Sequence, residues 1–135
     1  MIEIELPYPP SLNHYYRTWQ GRTLISRAGR SFRERVCAML AMRGVSPIQG
    51  PLAVVSDVYP PDNRRRDLDN TQKALLDAMQ HGNAYADDGQ IKILAAIQRE
   101  QFQAGKVAVR IAALPLHCCP LCGGVLNCAI GENHP

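Results

Sequence analysis

Four acids and a lysine in the 135-residue chain have the types and spacing for shared chemistry: Asp67, Asp69, Asp87, Asp88 and Lys73. Oxygen donors of this kind suit Mg²⁺, which keeps several waters and is held by one or two carboxylates plus a substrate phosphate. Such an ion polarises a phosphoryl oxygen, lowers the pKa of a bound water and stabilises the leaving alkoxide. A lysine close by adds positive charge where a phosphoryl transition state gathers negative charge. Crowded carboxylates repel one another, so a divalent cation or the neighbouring arginines must neutralise them. Arg64, Arg65 and Arg66 run directly into the first acid, where they would meet phosphate. The same residues also have plain structural uses. Asp67 suits a helix N-cap, Asp69 the positive end of a helix dipole, Asp69–Lys73 an i,i+4 pair, and Asp87-Asp88-Gly89 a turn. Spacing alone leaves both readings open.

The elements that must position these groups can be read from periodicity. Ile2, Ile4 and Leu6 alternate with Glu3 and Glu5 as in a half-buried strand, and Pro7, Pro9 and Pro10 open a loop to about Thr23. Ser26 is a fitting N-cap for a helix over 27–43, with Phe32, Val36, Met39 and Leu40 on one face. A strand over 52–59 ends at Pro60-Pro61, and residues 62–66 are too polar for core. The next helix runs from about 68 to 80 with Asp67 at its N-cap, stopped by His81-Gly82-Asn83. Alternation marks strands at 91–97 and 107–111, and Gln103-Ala104-Gly105 suits a hairpin turn between them. If the strand after Asp88 runs back alongside the one before Asp67, three carboxylates converge at one end of the sheet. The order β-α-β-α-β-β predicts an α+β fold: two layers, a mixed, largely antiparallel sheet and two main helices. This domain spans 1–114, with a Cys-rich extension over 115–135.

The run Arg64–Arg66, Asp67-Leu68-Asp69-Asn70, Lys73 and Asp87-Asp88 closely resembles the RusA-like Holliday junction resolvases. So does the front of the chain: Leu6-Pro7-Tyr8-Pro9-Pro10-Ser11-Leu12-Asn13, Tyr15-Tyr16-Arg17, Gly21-Arg22-Thr23 and Ser26. The resemblance spans roughly residues 4–112. It implies a small homodimeric endonuclease that uses Mg²⁺ to cut four-way DNA junctions by paired symmetric nicks, in recombination and repair. By position, the metal-binding acids implied are Asp67, Asp69 and Asp88, and the essential lysine is Lys73. Asn63 departs from the pattern, standing where a further arginine is expected.

Charge is divided in keeping with this: residues 1–50 carry +4, 51–90 carry −3 and 91–135 carry +2, and twelve of the fifteen bases are arginine. Arginine suits bidentate phosphate contact. Tyr15, Tyr16 and Arg17, with Trp19 and Arg22, interleave rings and bases as a nucleic-acid platform does. Acids at the amino terminus and the lack of a long apolar run predict a cytoplasmic chain that meets no membrane. Cys37 reads as a buried thiol, whereas Cys118, Cys119, Cys122 and Cys128 crowd the tail. Cys119-Pro120-Leu121-Cys122-Gly123 resembles half a zinc ribbon, which Cys128 and His134 could complete for Zn²⁺. Two rivals stand beside the nuclease. One is a phosphatase, because Asp67-Leu68-Asp69-Asn70-Thr71 fits D-x-D-x-T, although that motif should directly follow a hydrophobic strand. The other is a non-catalytic DNA-binding module with a zinc tail.

Overall fold

A computed structural model describes residues 1–125. Its elements in chain order are β1 (Ile2–Pro7), α1 (Leu12–Tyr15), β2 (Tyr16–Trp19), β3 (Arg22–Ile25), α2 (Arg27–Met42), β4 (Leu52–Tyr59), α3 (Gln72–His81), β5 (Ile91–Gln98) and β6 (Lys106–Ala113). Single 3₁₀ turns at Leu68–Thr71 and Asp88–Gln90 precede α3 and β5. The four-stranded sheet has the order β1-β6-β4-β5, antiparallel except for the parallel β4–β5 pair. The fold is α+β with a mixed sheet, as the element order predicts.

The helix α2 starts where its capping residue says it should: the Ser26 hydroxyl accepts the Gly29 N–H at 2.9 Å. Phe32, Val36 and Leu40 recur at helical spacing, and all are buried. They share the core with Ala74, Leu75, Ala78 and Met79 of α3, with Leu52, Val54 and Val58 of β4, and with Val107, Val109 and Ile111 of β6. Strand β4 is flanked by β5 and β6 and is buried along nearly its whole length.

Three expectations need correction. Strands β5 and β6 do not form a hairpin, because β4 lies between them and bonds to both. The link 99–105 instead crosses the end of β4, tied there by Arg99 N–H to Val58 O (2.8 Å) and Phe102 N–H to Pro60 O (2.9 Å). The stretch from Pro7 to Thr23 is not one loop; it contains α1 and most of the β2–β3 hairpin, which turns at Gln20 (φ +48°) and Gly21 (φ +72°). Two successive positive φ angles are what a tight two-residue hairpin requires. Finally, the helix expected from residue 68 begins as a 3₁₀ turn and becomes α-helical only at Gln72.

Candidate active site and nucleic-acid interface

The loop leaving β4 is shaped by one acid. Asp62 accepts the Arg64 backbone N–H at 2.9 Å and a forked pair of bonds from Arg66 at 2.6 and 2.9 Å. The Arg66 side chain first and the Arg64 amide second hold the Asp62 carboxyl down at about 2. Arg66 also lies 5.8 Å from the centre of the Tyr8 ring. Beneath Tyr8 passes Gly105, with φ +67°, where an added Cβ would sit 2.8 Å from the Tyr8 Cβ. Only glycine fits that crossing. Arg66 is therefore a strut. Arg64 touches Asp62 loosely (3.7 Å) with a largely exposed side chain, and Arg65 is exposed with no acid partner among the described residues. These arginines and Asp67 line an open cleft of about 870 Å³, together with His14 at the end of α1 and Arg35 on α2.

Asp67 occupies the N-cap position of the 3₁₀ turn, yet its side chain makes no capping bond. It is exposed, as is Asp69 within the turn, and neither carboxylate joins an ion pair among the described residues. The Asp69–Lys73 pair that an uninterrupted helix would favour is absent, because the 3₁₀ turn changes the angular phase between the two positions. Lys73 reaches Asp88 instead, with Nζ 4.0 Å from the carboxylate. Asp88 is located through its backbone, whose N–H donates to Gln80 Oε1 at 3.1 Å.

Asp87 serves as a cap. Its side chain accepts the Gly89 N–H (2.8 Å), while Gln90 Oε1 accepts the Asp87 N–H (3.0 Å) and Gln90 Nε2 donates to the Ile48 and Gly50 carbonyls. Among the described residues, no three acidic, histidine or cysteine side chains gather as a metal-holding group. The strand that follows Asp88 does not run back alongside the one before Asp67. Because β5 is parallel to β4, Ile91 lies opposite Leu52, so Asp88 stands where β4 begins. The 3₁₀ turn that carries Asp69 ends two residues before Lys73 and itself contacts β5. The chain gathers Asp67 with the arginines, and Lys73 with Asp88.

The aromatic stretch also divides. Tyr15, expected to face DNA, is fully buried (0% exposed), and its hydroxyl donates to Asp77. Arg33 donates to the same carboxylate at 2.7 Å. Burial pushes the Asp77 carboxyl up, but the Tyr15 and Arg33 hydrogen bonds outweigh it and leave it below the ordinary value. Burial, then the bond to Asp77, raises the Tyr15 phenol. Tyr16 is half-buried against Tyr15, ring to ring at 4.8 Å and edge-on, whereas Arg17 is exposed. Arg33 and Asp77 carried no recognisable signal, since their partners are distant in sequence, and His14 and Arg35 were likewise unmarked as lining of the cleft. In the tail, Cys119 and Cys122 lie in a turn closed by Cys119 N–H to Gly124 O and Gly123 N–H to Cys119 O, both 2.7 Å. Amides of Cys122 and Leu121 hold the Cys119 thiol below its ordinary pKa. Cys128 and His134 lie outside the described residues.

Comparison with known proteins decides the family: residues 7–112 match the family model for endodeoxyribonuclease RusA. The chain belongs to the RusA family. It is 34% identical over 113 residues to crossover junction endodeoxyribonuclease RusA of Escherichia coli (strain K12), covering 82% of this chain and 93% of that protein. The counterpart from Shigella sonnei (strain Ss046) is 35% identical and that from Enterobacteria phage 82 is 34% identical, with the same coverage. Membership in the RusA family makes the chain an enzyme of the nuclease class and removes the phosphatase alternative. The structure agrees, since the D-x-D-x-T stretch follows a polar loop rather than a strand. The RusA match stops at residue 112, short of the Cys-rich extension.

Proposed function

We propose that this chain is a Mg²⁺-dependent endonuclease that resolves four-way DNA junctions as a homodimer, each subunit supplying one nick. The RusA match over nearly the whole folded domain carries this reading. Supporting it locally, Asp67 lies in the Arg-lined cleft, and Asp67 and Asp69 are free of competing partners among the described residues. Two exposed carboxylates with oxygen donors only fit a hard ion that keeps its waters and accepts substrate phosphate. Asp67, Asp69 and Asp88 would hold it, and it would supply a more acidic water and charge neutralisation at the scissile phosphate. Arg64 and Arg65 anchor the DNA backbone at the cleft, and Arg66 keeps their loop in shape. Lys73, already beside Asp88, adds positive charge next to the acids.

Paired cuts need two sites related by a two-fold axis. An interface is suggested by β5, whose outer edge is unpaired among the described residues and which exposes Ile93 (43%) and Leu94 (48%). The tail, residues 115–135, is proposed as a separate zinc-binding extension, in which the Cys119–Cys122 turn supplies two thiolates and Cys128 and His134 the remaining donors. Zinc content of the purified chain and of Cys119→Ser tests that part: about one ion per chain, lost in the variant, is expected. For the nuclease, Asp69→Asn should bind an immobile four-way junction normally and fail to nick it in Mg²⁺. Unimpaired nicking by that variant would remove Asp69 from the mechanism.

A further inference from the structure

The β2–β3 hairpin presents a face that the catalytic site does not use. Its register pairs Arg17 with Leu24 and Trp19 with Arg22, so these four side chains share one face. All four are exposed, Trp19 at 60% and Leu24 at 37%. The opposite face behaves differently: Tyr16 and Ile25, at the root, pack against the core. Burial thus explains the root of one face and leaves the other, two arginines around an indole and a leucine, without an intramolecular use among the described residues. Neither arginine is in an ion pair among the described residues.

The root is held firmly. Tyr15 is buried immediately before the hairpin, the Ser26 N–H donates to the Tyr15 carbonyl at 2.8 Å, and the Ser26 hydroxyl donates to the His14 carbonyl. Gly29 of α2 packs so closely that a Cβ there would collide with the Tyr15 carbonyl oxygen. His14 and Ser11, just before the root, line the cleft that contains Asp67. The hairpin therefore starts at the cleft rim, and at about 3.3 Å per residue its Trp19 end stands roughly 10 Å out from Tyr16.

We propose that this face is a base-stacking platform: Trp19, backed by Leu24, receives an unstacked base at the branch point of the junction, while Arg17 and Arg22 hold the flanking phosphates. The chemistry is that of single-strand recognition, in which an aromatic face takes a base without reading its sequence and neighbouring arginines neutralise the backbone charge. A continuous duplex offers few unstacked bases, so the contact favours branched DNA. This proposal rests on the junction-binding reading above and adds the residue that distinguishes a junction from a duplex.

Trp19 is the sole tryptophan of the chain, so its emission reports the contact directly. The wild-type chain is titrated in EDTA with an immobile four-way junction and with a linear duplex of the same arm sequence. The proposal expects emission to be quenched by the junction much more than by the duplex. Trp19→Ala should weaken junction binding about tenfold to a hundredfold, leave duplex binding unchanged, and be largely rescued by Trp19→Phe. Junction binding with unaltered emission, and with equal affinity in Trp19→Ala, overturns the platform while leaving the nuclease assignment in place. Emission that instead shifts with protein concentration in the absence of DNA assigns the face to a second copy of the chain, and the platform is again wrong. Failure of the wild-type chain to bind the junction at all would overturn both.

Discussion

At the residue scale, the site separates side chains that look alike in sequence. Three consecutive arginines read as one basic run, yet Arg66 is forked onto Asp62 while Arg65 has no acid partner among the described residues. Arg65→Ala should weaken junction binding and reduce the slope of log affinity against log salt by about one, with stability unchanged. Arg66→Ala should lower the melting temperature and only then affect binding. The adjacent acids divide in the same way: Asp87 caps its turn, whereas the Asp88 carboxylate faces Lys73. Lys73→Ala should reduce nicking by about a hundredfold or more. The half-exposed pair with Asp88 contributes at most about 1 kcal/mol to folding, so a thermal melt beside the nicking assay separates the two effects. The motif made these residues recognisable. Which of two neighbours is tied into its own turn or loop and which is left to other contacts depended on hydrogen bonds that no motif encodes.

At the scale of elements, what could be read followed the strength of local periodicity. The boundaries of α2 and β4 came through because a serine cap, a 3.6-residue apolar stripe and flanking prolines mark them. The β2–β3 hairpin was missed because Gln20-Gly21 is a weaker turn signal than Asn-Gly and its exposed strands lack apolar alternation. The β5–β6 hairpin was wrongly expected because sequence neighbours usually pair, and nothing local says that β4 will insert between them. Helices α2 and α3 and the hairpin root are joined by Asp77, which holds both Arg33 and Tyr15. Asp77→Asn should cost about 2 kcal/mol at neutral pH. The Asp77 carboxyl is lower in the folded than in the unfolded chain, so its stabilisation is complete above the ordinary aspartate pKa and is lost as pH falls through the folded value. Denaturant unfolding should therefore show the gap between wild type and Asp77→Asn closing below about pH 4.

At the scale of the whole molecule, the open β5 edge has a usable parity. Arg99 N–H bonds to Val58 O, so odd-numbered residues of β5 face β4, and the backbone groups of Leu94, Ala96 and Gln98 face outward. A two-fold antiparallel pair centred on Ala96 would set Lys92 against Glu100 of the other copy. Ala96→Pro removes an outward N–H that β4 does not use and should convert the proposed dimer to monomer in sedimentation without unfolding the chain. A dimer that survives Ala96→Pro unchanged would move the interface elsewhere. No helix among the described residues is long and apolar enough to cross a membrane.

The central claim is that the acids beside the Arg64–Arg66 loop make this fold a metal-dependent junction nuclease. Its most direct test is cleavage of an end-labelled immobile four-way junction, with Mg²⁺ and with EDTA, by wild type and Asp69→Asn. The proposed mechanism predicts symmetrically related nicks in opposing strands from wild type in Mg²⁺ alone, with bound but intact junction in the other lanes. A junction that wild type binds in Mg²⁺ and leaves uncut would contradict it.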